Sequence, residues 1–244
     1  MRRYYDYEQV LKKRVASGTM EDTWFQTLVA DIKLAQGNPD AAQSLLDQVP
    51  LDFSPTEQIW ETRFAAALYL RNYDAASRVI ASIPANITDD FFEGRPESRA
   101  DGEVARAHGN KDKTLAVFAA ARKKLDARLG DKPRDEAYYR EVAQLDAGLD
   151  RKEEAIREAQ RAVELLPITK DSLNGPDMVA NLALVYASTG ERDRALEQLE
   201  KIATIPGSPG SPTYGDLLLN PCWDDLRGDS RFHKIVAAAK AASR

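Results

Sequence analysis

The sequence predicts an all-α protein: an α-solenoid of about five helix hairpins, with an N-terminal helix and a C-terminal capping helix. Three observations carry this. Small residues recur at Ala42, Ala76, Thr114, Ala155 and Ala195, at intervals of 34, 38, 41 and 40. A repeat of this length is one supersecondary unit that buries its apolar face only against its neighbours. Five residues before each mark stands Gly37, Arg71, Gly109, Asp150 or Gly190, and the glycines suit the left-handed backbone that ends a helix. Apolar residues then follow helical spacing, as in Val179, Leu182, Ala183 and Tyr186, and nothing alternates like a strand.

The elements can be read in order. A first helix near Tyr7–Ala16 precedes the array, so residues 1–22 form an N-terminal helix. Units follow near 23–50, 54–84, 96–129, 135–167 and 176–206, making an array over 23–207. Four of the five second helices are stopped by proline, at Pro50, Pro84, Pro167 and Pro206, because proline cannot continue a helix interior. Ser54-Pro55-Thr56-Glu57 combines an N-cap serine, a first-turn proline and a capping-box glutamate. Asn174-Gly175-Pro176, Asn220-Pro221 and Asp131-Lys132-Pro133 are looser starts. Ile156, Ala159, Val163 and Leu166 continue the apolar stripe on a second helix. The longer intervals predict extra helix or loop near 85–98, 126–136 and 167–176.

Residues 208–244 read as a cap, because an open array leaves its last apolar face bare. Trp223, Leu226, Phe232, Ile235 and Val236 supply the cover, and Asp229 is placed to cap a last helix ending near Ala242. Asp225 with Arg227 or Arg231 is a candidate staple for the preceding turn.

With these residues in place, the chain resembles the tetratricopeptide repeat (TPR) family over about residues 23–207. Leu182, Ala183, Tyr186, Gly190, Ala195 and Leu199 carry the likeness most fully, followed by Tyr139, Ala143, Ala155, Ala159, Ala162 and Pro167, then Trp60 and Ala76. Ala67 and Asp146 stand where the family prefers tyrosine, and Thr114 replaces alanine. The C-terminal ending, Leu166–Asp171 and Phe91-Phe92-Glu93-Gly94 also resemble the C-terminal TPR arm of bacterial signalling proteins such as Ser/Thr kinases, cyclases and winged-helix regulators. No kinase-like or phosphate-loop motif accompanies them here.

The resemblance implies a concave surface lined by the first helix of each unit. Counting from the small residues, outward positions are Trp24 and Thr27, then Gln58, Glu61 and Tyr69, then Arg99, Glu103 and Arg106, and finally Arg140, Gln144 and Asn181. Three arginines in neighbouring units suit a carboxylate or acidic peptide, because guanidinium binds both oxygens at once. The alternative is that Arg99 pairs with Glu103, and Arg140 with Asp135 or Glu136, as helix-surface ion pairs. Trp24, Tyr69, Tyr138 and Tyr139 offer aromatic contact area; register assigns Tyr139 and Trp60 to the core.

Catalytic constellations fail on inventory. His108 and His233 are the only histidines and have no acid or thiol partner at motif spacing, and His108 suits a helix end. Asp89-Asp90 and Asp224-Asp225 are carboxylate pairs in loops, without the further oxygen ligands a cation needs. No catalytic, cofactor-binding or metal residues are assigned. Net charge of −5 argues against nucleic acid, with Lys12-Lys13-Arg14 and Arg122-Lys123-Lys124 read as solvated faces. No window is long enough to span a bilayer, and the first residues lack a signal-peptide core. A single cysteine, Cys222, excludes an internal disulfide. Cytoplasm is the default compartment, and periplasm applies if this is an arm following a membrane segment.

The expected function is a non-enzymatic scaffold or regulatory domain binding a protein or peptide in its concave groove, within a bacterial signalling system. A sensor for a small anionic ligand is the alternative, and an enzyme with an unrecognised site is a third reading. Self-association into a homodimer stays open.

Overall fold

The computed structural model describes residues 4–50, 58–83, 98–130, 134–205 and 212–242, and among them every regular element is helical. They are α1 (Tyr4–Ala16), α2 (Asp22–Ala35), α3 (Pro39–Leu46), α4 (Gln58–Tyr69), α5 (Tyr73–Ser82), α6 (Arg99–Ala107), α7 (Lys111–Leu129), α8 (Glu136–Gly148), α9 (Lys152–Leu165), α10 (Gly175–Ser188), α11 (Arg192–Ile202), α12 (Tyr214–Leu219), a 3-10 helix (Pro221–Leu226) and α13 (Ser230–Ala242). None of them is long and apolar enough to cross a membrane. The helix starts expected at Ser54–Glu57 and Asp131–Pro133, the prolines 84 and 206, and the motifs at Asp89-Asp90 and Phe91–Gly94 lie outside the described residues.

Helices pack in neighbouring pairs: α2 with α3, α4 with α5, α6 with α7, α8 with α9, and α10 with α11. The second helix of each pair also rests on the first helix of the next. The turn inside every pair is built alike. Gly37, Arg71, Gly109, Asp150 and Gly190 all have positive φ, between 57° and 82°. In each, the next residue's N–H reaches back five residues, as from Asn38 to the Lys33 carbonyl and from Glu191 to that of Tyr186. Two backbone bonds thus close the first helix before the second begins. Asn38, Asn72 and Asn110 then accept from the backbone N–H three residues on, capping α3, α5 and α7.

The small residues fall where the paired helices cross. Ala42, Ala76, Ala155 and Ala195 are fully buried. Thr114 is buried too, and its hydroxyl donates to the Asn110 carbonyl at 2.7 Å, which satisfies the one polar atom that alanine would lack. The 41-residue interval is absorbed by α7, which runs for 19 residues against eight in α3. Phe118 of α7 wedges between Gly102 of α6 and Gly148 of α8, where a Cβ would approach the ring to 2.9 Å and 2.5 Å. Glycine at these helix positions therefore buys close packing.

Expectations about individual residues are corrected at two places. Thr27 and Asn181 are buried rather than outward, the Thr27 hydroxyl donating to the Thr23 carbonyl. Of the adjacent tyrosines, Tyr138 is the core residue and Tyr139 is half-buried, because Tyr138 turns between α7 and α8 and donates to Asp126 at 3.0 Å. Trp60 is core, as its register demanded. The first helix begins at Tyr4, earlier than Tyr7, and packs Leu11 against Leu28, Val29 and Ile32.

At the other end, Trp223, Leu226, Phe232 and Ile235 join one cluster with Leu196, Leu199 and Ile202 of the last pair. Asp229 accepts from the Arg231 N–H at the start of α13. The staple is Asp224 with Arg227, at 2.8 Å, in place of the expected Asp225. The short α12 was not foreseen; it packs between α13 and α2, elements from opposite ends of the sequence.

Candidate functional site

The first helices α6, α8 and α10 are linked by side chains that cross from one to the next. Arg99, at the start of α6, donates from Nε to Glu141 at 2.9 Å and from Nη1 to Glu103 at 3.0 Å and Gln144 at 2.6 Å. Gln144 in turn donates to Asn181 of α10 at 2.7 Å. Three consecutive pairs are thereby spanned by one hydrogen-bonded chain. Of the eleven outward positions read from the sequence, Arg99, Glu103, Gln144 and Asn181 meet here, and Glu141 is the member that the register missed. Glu141 is buried, and a buried glutamate on an otherwise apolar helix face is the signal that points to it.

The arginines divide between the two expected roles. Arg99 is held by two carboxylates, so its ion pair with Glu103 is real and its charge is offset within the protein. Arg106 is exposed and sits 5.9 Å from the centre of the Phe118 ring. Arg140 pairs with neither Asp135 nor Glu136: Asp135 caps α8 through the Tyr138 N–H instead. Arg140 lies one turn before Gln144 on α8, half-buried and without a hydrogen-bond or ion-pair partner among the described residues.

The remaining predicted residues lie toward the N-terminal pairs. Trp24 packs partly into the cluster around Leu11. Gln58 is half-buried and Glu61 exposed on α4. Tyr69, at the end of α4, donates to Asp216 of α12 at 3.0 Å. Burial, and then the Asp216 carboxylate, push the Tyr69 hydroxyl pKa upward, so it stays a donor. The end of α4 is therefore covered by α12. Tyr214 and Leu218 lie on Gly37, and Arg71 pairs with Asp224 at 2.8 Å. Cys222 is half-buried beside Asp216, with Glu103 and Arg106 of α6 near enough to act on its charge, and burial raises its thiol pKa.

A cleft of about 380 Å³ lies between α11 and α13. Its floor includes Leu196, Ala203 and Ile235, and its edges carry Glu197 and Glu200 as well as Arg231 and Lys234. Arg231 is already engaged by Asp229 and Asp193. The histidines stand apart from both places in their contacts: His233 donates to the Arg227 carbonyl, and His108 meets the Tyr73 ring edge-on. No protein-family model matches the chain, and no characterised protein matches it either.

Proposed function

We propose that the five helix pairs form a TPR-like solenoid, a non-enzymatic scaffold that holds a protein or peptide segment against the wall of α6, α8 and α10. The observation that carries this is the Arg99–Gln144–Asn181 chain. Hydrogen bonds between pairs fix these side chains before any partner arrives, which lowers the conformational cost of binding. Arg140 adds a cation beside the chain. Arginine is among the residue types that dominate binding hot spots.

The anionic-ligand reading is weaker on the same residues, because Glu103 and Glu141 already neutralise Arg99. A peptide with both an acidic residue for Arg140 and amide or backbone groups for Gln144 fits the wall better than a free anion. The placement in a bacterial signalling system as a regulatory arm rests on sequence resemblance alone.

The test is selection from a random peptide library on the immobilised chain, followed by titration of the winners. Arg140→Glu is expected to weaken selected peptides by about tenfold or more, in line with loss of a central arginine contact. Equal affinity for wild type and Arg140→Glu across all selected peptides would overturn the assignment.

A further inference from the structure

We infer that Tyr214–Leu226 is an internal strap, anchored in the last helix pair and latched onto the first two, that closes part of the wall from within. The anchor is apolar. Leu217, Trp223 and Leu226 are no more than 3% exposed and share a cluster with Leu199, Ile202 and Phe232. The latch is polar and glycine-built. Tyr69 donates to Asp216, and Arg71 to Asp224, each across roughly 150 residues of chain. Gly215 lies so close to α2 that a Cβ there would sit 1.7 Å from the Leu34 carbonyl oxygen.

One carboxylate joins the two ends. Asp216 accepts from Tyr69 and Asn220 on Oδ1 and from the Trp223 indole N–H on Oδ2, at 3.0, 2.8 and 2.8 Å. The turn after α4 places the arginine of the latch, as the turn after α8 places Asp150, in the left-handed region. Arg71 holds φ at 57°, in a position that is glycine in three of the five turns. An L side chain is strained there, and this one reaches Asp224. The strap thus ties α2 and α4 to the far end of the array, and its release uncovers the α2–α4 stretch of the wall. That last consequence rests on the proposed function, whereas the latch itself does not.

The experiment replaces Gly215 by alanine, which favours α12 as a helix while removing the space it needs against α2. Gly228→Ala, where a Cβ meets nothing within 4 Å, is the control. Tyr69→Phe with Arg71→Ala breaks the latch from the other side. Amide exchange by mass spectrometry and small-angle scattering are read on the full chain. Exchange in α12 is expected to rise about tenfold or more, the equivalent of one or two lost hydrogen bonds, with a larger radius of gyration and unchanged exchange in α8 to α11. Gly228→Ala should match wild type. The inference fails if both latch variants leave α12 exchange and radius unchanged. It fails equally if exchange rises alike in α8 to α11, since the segment would then be part of one indivisible core. No partner enters these readouts, so their failure is separable from failure of the peptide selection.

Discussion

On the flank of α8 that meets α6 and α10, Arg99, Glu141, Gln144 and Asn181 form an extended chain ending in amides. On the flank that meets α7 and α9, Asp146 gathers Arg122 and Arg151, with Asp126 and Glu158 crowded beside them. Both clusters cross between pairs, the second through Arg122 of α7 and Asp146 of α8, but only the first spans three pairs, through side chains that range from buried Glu141 and Asn181 to part-buried Gln144. The second is knotted around one buried carboxylate. The contrast teaches which polar groups serve a surface and which serve the packing of a pair: amides can exchange partners at little cost, whereas a buried ion cannot.

Breaking the knot should have the largest effect. Asp146→Ala removes the buried carboxylate that Arg122 and Arg151 share; because Arg122 keeps Asp126 and Arg151 is largely open to solvent, the expected loss is about 3 kcal/mol, read from urea unfolding. On the other flank, Glu141→Ala leaves Arg99 with Glu103 and Gln144, so the expected loss is smaller, about 1–3 kcal/mol. A loss equal to that of Asp146→Ala would erase the distinction between the flanks.

Glu158 sharpens the comparison through pH. Its carboxyl is pushed from about 4.5 to about 7, first by burial and second by the Asp146 carboxylate, and its Oε2 is buried without a hydrogen-bond partner among the described residues. Between those values the folded chain keeps a proton that the unfolded chain has released. Stability from this group is whole below about pH 4.5 and is lost as pH rises to about 7. Glu158→Gln, which holds the neutral form at every pH, should flatten that slope. It should raise stability at pH 8 by about 1 kcal/mol once solvent screening is allowed for. Thermal melts of both proteins from pH 5 to 8 check it; parallel curves would contradict the assignment. A loss of about 1 kcal/mol is expected from Asn181→Ala, which removes the acceptor of the Gln144 bond but also a buried Nδ2 that has no hydrogen-bond partner among the described residues.

The repeat turns were legible in the sequence because local chemistry decides them. Glycine, or a residue forced to imitate it at Arg71 and Asp150, must adopt the left-handed backbone, and five positions in phase do so. The chain from Arg99 to Asn181 was half legible: register put its members on first helices, but not which would bond. Asp146 stood out as a departure from a preferred tyrosine, and its reason, two arginines from α7 and the turn before α9, came only with packing. Tyr138 and Tyr139 exchanged roles because adjacent positions differ by about 100° around a helix, and the α7 interface decides which one turns inward. The strap was illegible. Its helix is six residues long, too short for a periodic pattern, and its partners Leu34, Tyr69 and Arg71 are remote in sequence.

The most direct test of the central claim is an amide-exchange footprint of a library-selected peptide on the wild-type chain. The account predicts slowed exchange within residues 99–107, 136–148 and 175–188, with α9 and α11 unchanged. Protection confined to α11 and α13, at the cleft beyond the last pair, would contradict it.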